Sequence, residues 1–340
     1  MKAAVFNPYL DTMGGGERYT LGAISALEKA GYKVDLEWQD SGILKKLGER
    51  FGLKLQKTKI VDTIKRGDGY DVCFWVSDGS IPTLRSRNNI LHFQVPFTKT
   101  SGMVLLNKMK LFRIKHVVVN SRFTKKFIDK TFGVNSKVIY PPVSVKNFKP
   151  RRKQNIICYI GRFSRLAQNK RHDILIDVFR KFYRGNRDWK LVLAGGVEVG
   201  NDGFTDELRL MSKKLPVEIV ESPSHSEISE LLGVSKMFWS AAGYGIDEEK
   251  NPEKVEHFGI TVVEAMAAKC VPLVVSKGGH KEIVENGENG FLWHKKLQLL
   301  DLSEKLIRDY NLMRKLGKKA NEDSSLYSEK EFASKFMRLL

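Results

Sequence analysis

Two carboxylates, Glu256 and Glu264, stand eight residues apart in the segment EHFGITVVE. On one continuous helix they would be displaced by about 12 Å along the axis. Gly259, however, marks a helix start, and 260–268 carries a helical pattern. Glu256 then falls in the preceding loop and Glu264 in the second turn. Between them lie the backbone amides of 257–261, so the site offers donors and two acceptors. That combination suits a ligand with phosphates and several hydroxyls. The competing reading makes Glu256 a cap and Glu264 an ordinary helix-face acid.

A second set is basic. Arg162 directly follows Gly161, just past an apolar run, and Lys170 and Arg171 open a helix with apolar Ile174, Leu175, Val178 and Phe179. Arg offers a planar fork and Lys a compact charge, which together suit a diphosphate at strand ends. Exposed charge at element ends is the plainer alternative. Near the N-terminus, Gly14, Gly15 and Gly16 precede a helix opened by Glu17. Such a turn presents backbone amides to an anion or a sugar hydroxyl, or is a turn and nothing more. The dinucleotide fingerprint fails here: Tyr19 stands where its third glycine belongs, although Glu37 lies where the ribose acid would. Gly278 and Gly279 form another glycine turn ahead of a helix containing Glu282, either over the same ligand or as a connection. His92, in LHFQVPF, ends a strand; it is a ligand-facing group or a satisfied structural histidine.

These residues need strand ends and helix starts to hold them. Apolar, β-branched runs at 3–6, 34–36, 72–76, 90–93 and 117–119 read as strands of a first half. Runs at 156–160, 190–193, 217–220, 237–239 and 271–275 read as strands of a second. Alternation with helix-patterned stretches means βαβ units, hence an α/β fold of two doubly wound parallel sheets. The three prolines and basic run of 140–153 read as a connector, dividing 1–150 from 151–325. The stretches 301–316 and 328–340 read as amphipathic helices with no strand after them, and the segment 326–340 has the length to cross back onto the first domain.

Composition bounds the classes. The 340 residues are 42% hydrophobic and 29% charged, a globular balance. No run approaches the ~18 apolar residues of a membrane span. The N-terminus reads as a first strand because a signal peptide's long apolar core is missing. Cys73, Cys158 and Cys270 are too far apart for a zinc or CxxC pattern, which favours a reducing, cytoplasmic setting. The net charge is +19, with 26 Lys/Arg against 12 Asp/Glu in residues 1–150. Within 99–137 the only acid is Asp129. Such a face attracts anions: a solvated surface, or one that rests on anionic lipid. No nucleic-acid-binding module and no aromatic–basic interleaving accompany it, so nucleic acid is not an expected partner.

Taken together and in order, these features resemble glycosyltransferase family 4. They are GGGER at 14–18, VIYPPV at 138–143, Gly161–Arg162 with Lys170, LAGG at 193–196, and the Glu-x7-Glu stretch followed by EAMAAKCVP and GGHKEIVENGENGFL. The resemblance covers nearly the whole chain. It implies the GT-B fold, two facing Rossmann-like domains with an interdomain cleft: an N-terminal acceptor-side domain and a C-terminal donor domain. By position, Arg162 and Lys170 match residues that hold the donor diphosphate. Glu264 matches a ribose-binding carboxylate, and Glu256 one near the donor sugar. Phe258, Gly259 and Ile260 match the loop whose amides meet sugar or phosphate. Gly15 and Gly16 match the first-domain turn that closes over the donor, and His92 a histidine lining the reacting centre. Two departures stand out: Lys269 where the family has glycine, and a longer SRLAQN segment before Lys170.

The activity implied is a retaining transfer of a sugar from a nucleotide diphosphate sugar to a glycan or polyprenol-linked acceptor, with no obligatory metal. The segment 238–268 resembles the α-1,2-mannosyltransferases that extend dolichol-linked oligosaccharide and bacterial relatives of them, favouring GDP-mannose. The resemblance implies a cytoplasmic enzyme, either in the cytosol or peripheral at a membrane's cytoplasmic face. A sugar-nucleotide epimerase on the same fold and a basic nucleic-acid-binding protein are the alternatives.

Overall fold

Parallel strands need crossover helices, and the chain supplies them in regular alternation. A computed structural model describes residues 1–12, 14–52, 55–100, 102–164, 170–197 and 203–340. It divides into two compact units, Met1–Pro142 with Tyr327–Leu340, and Val143–Leu326.

In the first unit the strands are β1 (Lys2–Phe6), β2 (Lys33–Glu37), β3 (Thr58–Val61), β4 (Val72–Val76), β5 (Asn88–Phe93), β6 (His116–Val119) and β7 (Lys137–Val138). Its helices are α1 (Gly15–Lys29), α2 (Ile43–Phe51), α3 (Leu105–Leu111) and α4 (Arg122–Phe132). In the second unit the strands are β8 (Gln154–Ile160), β9 (Lys190–Gly195), β10 (Val217–Glu221), β11 (Ser235–Ser240), β12 (Val271–Val275) and β13 (Phe291–Trp293). Its helices are α5 (His172–Phe182), α6 (Phe204–Met211), α7 (His225–Val234), α8 (Ile260–Ala267), α9 (His280–Ile283), α10 (Lys296–Arg308) and α11 (Tyr310–Ser324). The last helix, α12 (Glu329–Met337), belongs to the first unit.

Among the described residues the first sheet has the order β3-β2-β1-β4-β5-β6-β7 and the second β10-β9-β8-β11-β12-β13. All pairings are parallel, as between β1 and β4 or β8 and β9. Both orders are the doubly wound, Rossmann-like arrangement. Two such α/β units are what the GT-B architecture requires. A strand covered on both faces can be apolar throughout: every residue of β12, VPLVV, is buried.

Three strands were not legible as strands. β3, β7 and β13 are two to four residues long at or next to a sheet edge, and β3 has no buried residue. They are too short to show the longer apolar run that marks a central strand. The stretch 301–316 is not one helix: it spans the end of α10 and the start of α11. Asp309 leaves helical geometry (φ −113°, ψ 85°), and its carboxylate caps α11 by accepting the Leu312 amide at 2.9 Å.

The division falls at Pro142/Val143 rather than 150/151. Residues of the expected connector pack with the second unit: Val143 and Phe148 are buried, and the Arg151 amide donates to the Gly233 carbonyl at 3.0 Å. Lys153, the last of the basic run, donates to the carbonyls of Ser235 and Ala268, both at 2.7 Å. It thereby closes the carboxyl end of α8. In the first unit, α12 lies on α1. Phe332 meets Tyr19 edge-on at 4.9 Å, Phe336 meets Phe74 at 5.7 Å, and Asn88 Nδ2 donates to the Leu339 carbonyl at 2.7 Å.

Candidate active site

Each sheet reverses its winding direction between its first and fourth strands, β1 and β4, or β8 and β11. Open α/β sheets bind ligands beyond the carboxyl ends of strands at that point. Gly161 and Arg162 follow β8, and the loop 241–259 follows β11.

The turn after β8 is tightly fixed. A Cβ on Gly161 would come within 2.6 Å of the Tyr159 hydroxyl, and one on Gly195 would overlap the Gly161 carbonyl. Backbone bonds from Gly161 to Ala194 and from Phe163 to Gly196, each 2.9 Å, extend the pairing past the strand. His172, fully buried, donates Nε2–H to the Gly161 carbonyl at 3.3 Å. Burial drives its pKa down to about 3, so the ring is neutral. Arg162 is exposed at the end of this turn.

Lys170 is positioned by its neighbour. Arg171 sits in the left-handed region (φ 54°). Its guanidinium donates to both carboxylate oxygens of Asp173, at 3.0 and 2.9 Å, and to the Tyr244 carbonyl at 2.9 Å. The clamp joins the start of α5 to the loop after β11. Lys170 and Arg171 precede α5 rather than opening it, because this left-handed residue interrupts the helix ahead of His172. Of SRLAQN, positions 165–169 lie outside the described residues.

Lys170 Nζ donates to Glu256 Oε2 at 2.7 Å, with the two side chains 12% and 18% exposed. Burial opposes charge on Glu256. The Lys170 ammonium, with smaller contributions from His280 and His257, outweighs that and holds the carboxyl at about 2.

The loop bearing Glu256 is backed by the second glycine turn. The Gly279 amide donates to the Glu256 carbonyl at 2.8 Å. Cβ atoms on Gly278 or Gly279 would overlap the backbone of 256–258. The Gly278 amide is taken by Glu248 Oε2 at 2.7 Å, whose other oxygen accepts from Lys281 Nζ at 2.6 Å. This turn therefore fixes the Glu256 loop. Gly259 (φ 114°) turns the chain into α8 at Ile260, with Phe258 buried before it and Glu264 in the second turn, 6% exposed. His280, 1% exposed, was not singled out from the sequence. Its Nδ1–H donates to the Val275 carbonyl at 3.0 Å, and its Cδ2 lies 3.4 Å from where a Gly259 Cβ would stand. Its place directly after the double glycine is the signal that could have found it. Lys269 occupies the left-handed position at the end of α8 (φ 60°). Bonds from Lys269 to Met266 and from Cys270 to Ala265, both 2.9 Å, complete a Schellman motif there.

In the first unit, Gly15 and Gly16 form the first turn of α1, which starts at Gly15 rather than Glu17. Glu17 folds back, its Oε2 accepting from the Gly14 amide at 2.6 Å and from Thr12 Oγ1 at 2.8 Å. Glu37 is spent structurally, accepting the Ile64 amide at 2.8 Å. His92 does not line an open surface. It is 0% exposed, stacked on Tyr19 at 3.9 Å, and burial lowers its pKa to about 4. An aromatic stack inside the sheet–helix layer gives it a dry environment. Its Nε2–H donates to Gln94 Oε1 at 2.9 Å. Half-buried Gln94 is the group beside the glycine turn, 3.5 Å from the place of a Gly16 Cβ. Sequence reasoning passed over it two residues away.

The second unit thus brings together Lys170 and Glu256 in direct contact, beside the amides that open α8. An open pocket of about 550 Å³ lies past β11, β12 and β13, lined by Tyr244, Asp247, Lys277 and His294 among others. None of the residues picked from the sequence lines it; it adjoins them through Tyr244. Among the described residues, no three His, Cys, Asp or Glu side chains gather as a metal site would require.

The chain is similar to several known proteins. The chain is 29% identical over 250 residues to a GDP-Man:Man(3)GlcNAc(2)-PP-Dol alpha-1,2-mannosyltransferase of Dictyostelium discoideum, covering 66% of this chain and 47% of that protein. It is 27% identical over 363 residues to an alpha-1,3/1,6-mannosyltransferase, ALG2, of Candida glabrata, covering 84% and 78%. The chain thus spans about half the length of the first of these relatives. In fold it matches the crystal structure of Anabaena Alr3699/HepE in complex with UDP, with a TM-score of 0.76 over 99% of both chains at 17% identity. The family model described as glycosyl transferases group 1 matches residues 143–323, more than half of the chain and nearly all of the second unit. The chain belongs to the glycosyl transferases group 1 family.

Proposed function

We propose that this protein transfers a sugar, with retention of configuration, from a nucleotide diphosphate sugar to an acceptor hydroxyl. The observation that carries the reading is the Lys170–Glu256 pair beside the helix start at Gly259, inside the segment that the family model matches. In this reading a donor diphosphate takes Lys170 from Glu256, one anion replacing another, with Arg162 as its second cation. Glu256, released, accepts hydrogen bonds from the donor sugar's hydroxyls. Glu264 accepts from the ribose, and the amides of Phe258, Gly259 and Ile260 meet sugar or phosphate. Gly15 and Gly16 offer further amides.

The acceptor oxygen forms its bond to the anomeric carbon on the face from which the phosphate leaves. The acceptor proton passes to the departing phosphate oxygen. Lys170 and Arg162, the cations on the phosphate side, stabilise the negative charge that develops on the leaving group. His92, being buried, acts by holding Gln94.

The donor proposed is GDP-mannose and the acceptor a glycan or polyprenol-linked glycan, at the cytoplasmic face of a membrane. The similarity to a GDP-Man:Man(3)GlcNAc(2)-PP-Dol alpha-1,2-mannosyltransferase and to an alpha-1,3/1,6-mannosyltransferase supports this. UDP is the second nucleotide to test, since it is bound in the Anabaena structure. Titration calorimetry with GDP, UDP, ADP and their sugar conjugates, on wild type and Glu264→Ala, tests the reading. GDP and GDP-mannose should bind, and the variant should bind them at least tenfold more weakly. Failure of the folded protein to bind any of these nucleotides would refute the donor site.

A further inference from the structure

We propose that the outward face of α3, with the turn before it, docks this protein on an anionic lipid bilayer. Met103, Val104, Leu105, Leu106, Met109 and Phe112 are all exposed, Leu105 at 74% and Phe112 at 93%. No residue of α3 is buried. A helix beside a sheet ordinarily turns its apolar stripe inward. Here Leu105, Met109 and Phe112 recur at helical spacing on the outer side. Leu111 and the following Ile114 meanwhile pack on the cluster containing Phe93, Val119 and Phe132. The patch is held in place. A Cβ on Gly102 would overlap the Thr131 carbonyl, and Met103 Sδ lies 3.0 Å from the place of a Gly133 Cβ.

Charge selects the occupant. Between Asp78 and Asp129 the chain has ten Lys/Arg and no acid. Lys108 lies within the apolar stripe itself, at helical spacing from Leu105 and Phe112. Lys99, Arg113 and Lys115 are exposed around it. The core of a protein–protein interface is depleted in lysine. At a bilayer, by contrast, lysine stems lie along the acyl boundary while their ammonium groups reach the phosphates. Neither signal suffices alone. A short apolar ridge and a basic surface together make a reversible membrane anchor. The inference does not depend on the chain transferring a sugar.

The test is flotation of the full chain with vesicles of phosphatidylcholine alone or mixed with phosphatidylglycerol. The protein should float with the mixed vesicles at low salt, be released at high salt, and stay behind with neutral ones. Leu105→Ser/Phe112→Ser should lower partitioning at least tenfold with the melting temperature unchanged, because both side chains are exposed. Lys108→Gln should lower it about fivefold, the share of one lysine at an anionic leaflet. Leu210→Ser, an exposed leucine of the other unit, should leave it unchanged. Absence of flotation with anionic vesicles, or equal flotation of the Leu105→Ser/Phe112→Ser variant, would overturn the proposal. So would a dimer in sedimentation velocity that the double variant dissociates, since a second copy would then cover the ridge.

Discussion

Lys170 Nζ and Glu256 Oε2 stand 2.7 Å apart, 86 residues apart in sequence and each largely shielded from solvent. The pair joins the segment after β8 to the loop after β11, across the point where the second sheet reverses its winding. A carboxylate and an ammonium so placed neutralise one another.

Glu256→Gln tests both the chemistry and the electrostatics of this pair. In the fold the carboxyl is held at about 2, below its ordinary 4.5. A depressed carboxyl pKa contributes stability above the unfolded value, lost as pH falls through the folded one. Wild type should therefore exceed Glu256→Gln by on the order of 2–3 kcal/mol near pH 6. That margin should vanish between pH 4.5 and 2, as followed by urea unfolding. Sugar transfer should fall about a hundredfold or more at pH 7. A margin independent of pH would mean that the pair is not ionised in the fold.

His92 and His172 predict a second acid sensitivity at higher pH. Both are buried and neutral, at about 4 and about 3 against 6.5 in the unfolded chain. The unfolded state binds more protons below 6.5, so stability should decline as pH falls from 6.5 towards 4, by roughly 1 kcal/mol per pH unit for each ring. His92→Phe should flatten the decline by about half, as read from chemical unfolding at several pH values. It should also lower transfer through loss of the Gln94 hydrogen bond, and Gln94→Ala should match it in activity with little change in stability.

The two glycine turns should respond differently to a methyl group. Gly279→Ala places a Cβ against the backbone of 257–258, where nothing can yield. It should cost about 3 kcal/mol or more and abolish nucleotide binding. Gly16 has no positive φ, and its Cβ would meet Gln94 at an ordinary 3.5 Å. Gly16→Ala should leave the melting temperature within a degree or two, and donor binding should weaken if the Gly15–Gly16 amides approach the ligand. Unchanged binding and transfer would make the turn purely structural.

Lys269→Gly should stabilise the protein. A non-glycine residue at φ 60° costs about 1 kcal/mol, and the lysine is exposed at the end of α8. Relief of that strain should raise the melting temperature by about 2–4 °C in calorimetry, with activity unchanged.

Local chemistry made much of this protein legible from its residues. The β-branched central strands, the alternation with helices and the helix start at Gly259 all follow from interactions within a few positions. Each is set by backbone geometry and by apolar periodicity. Contacts between distant segments left no such trace. That Lys170 meets Glu256, that Lys153 closes α8, and that Gly279 backs the Glu256 loop depend on which strands lie side by side. The edge strands β3, β7 and β13 are too short, at two to four residues, to announce themselves, and each pairs along a neighbour's edge. His92 reads alike whether it faces a ligand or a core; the Tyr19 stack and complete burial decided for the core. The apolar ridge of α3 has an ordinary helical pattern in sequence. Only packing could show which side Leu111 turns inward, leaving Leu105, Met109 and Phe112 outside.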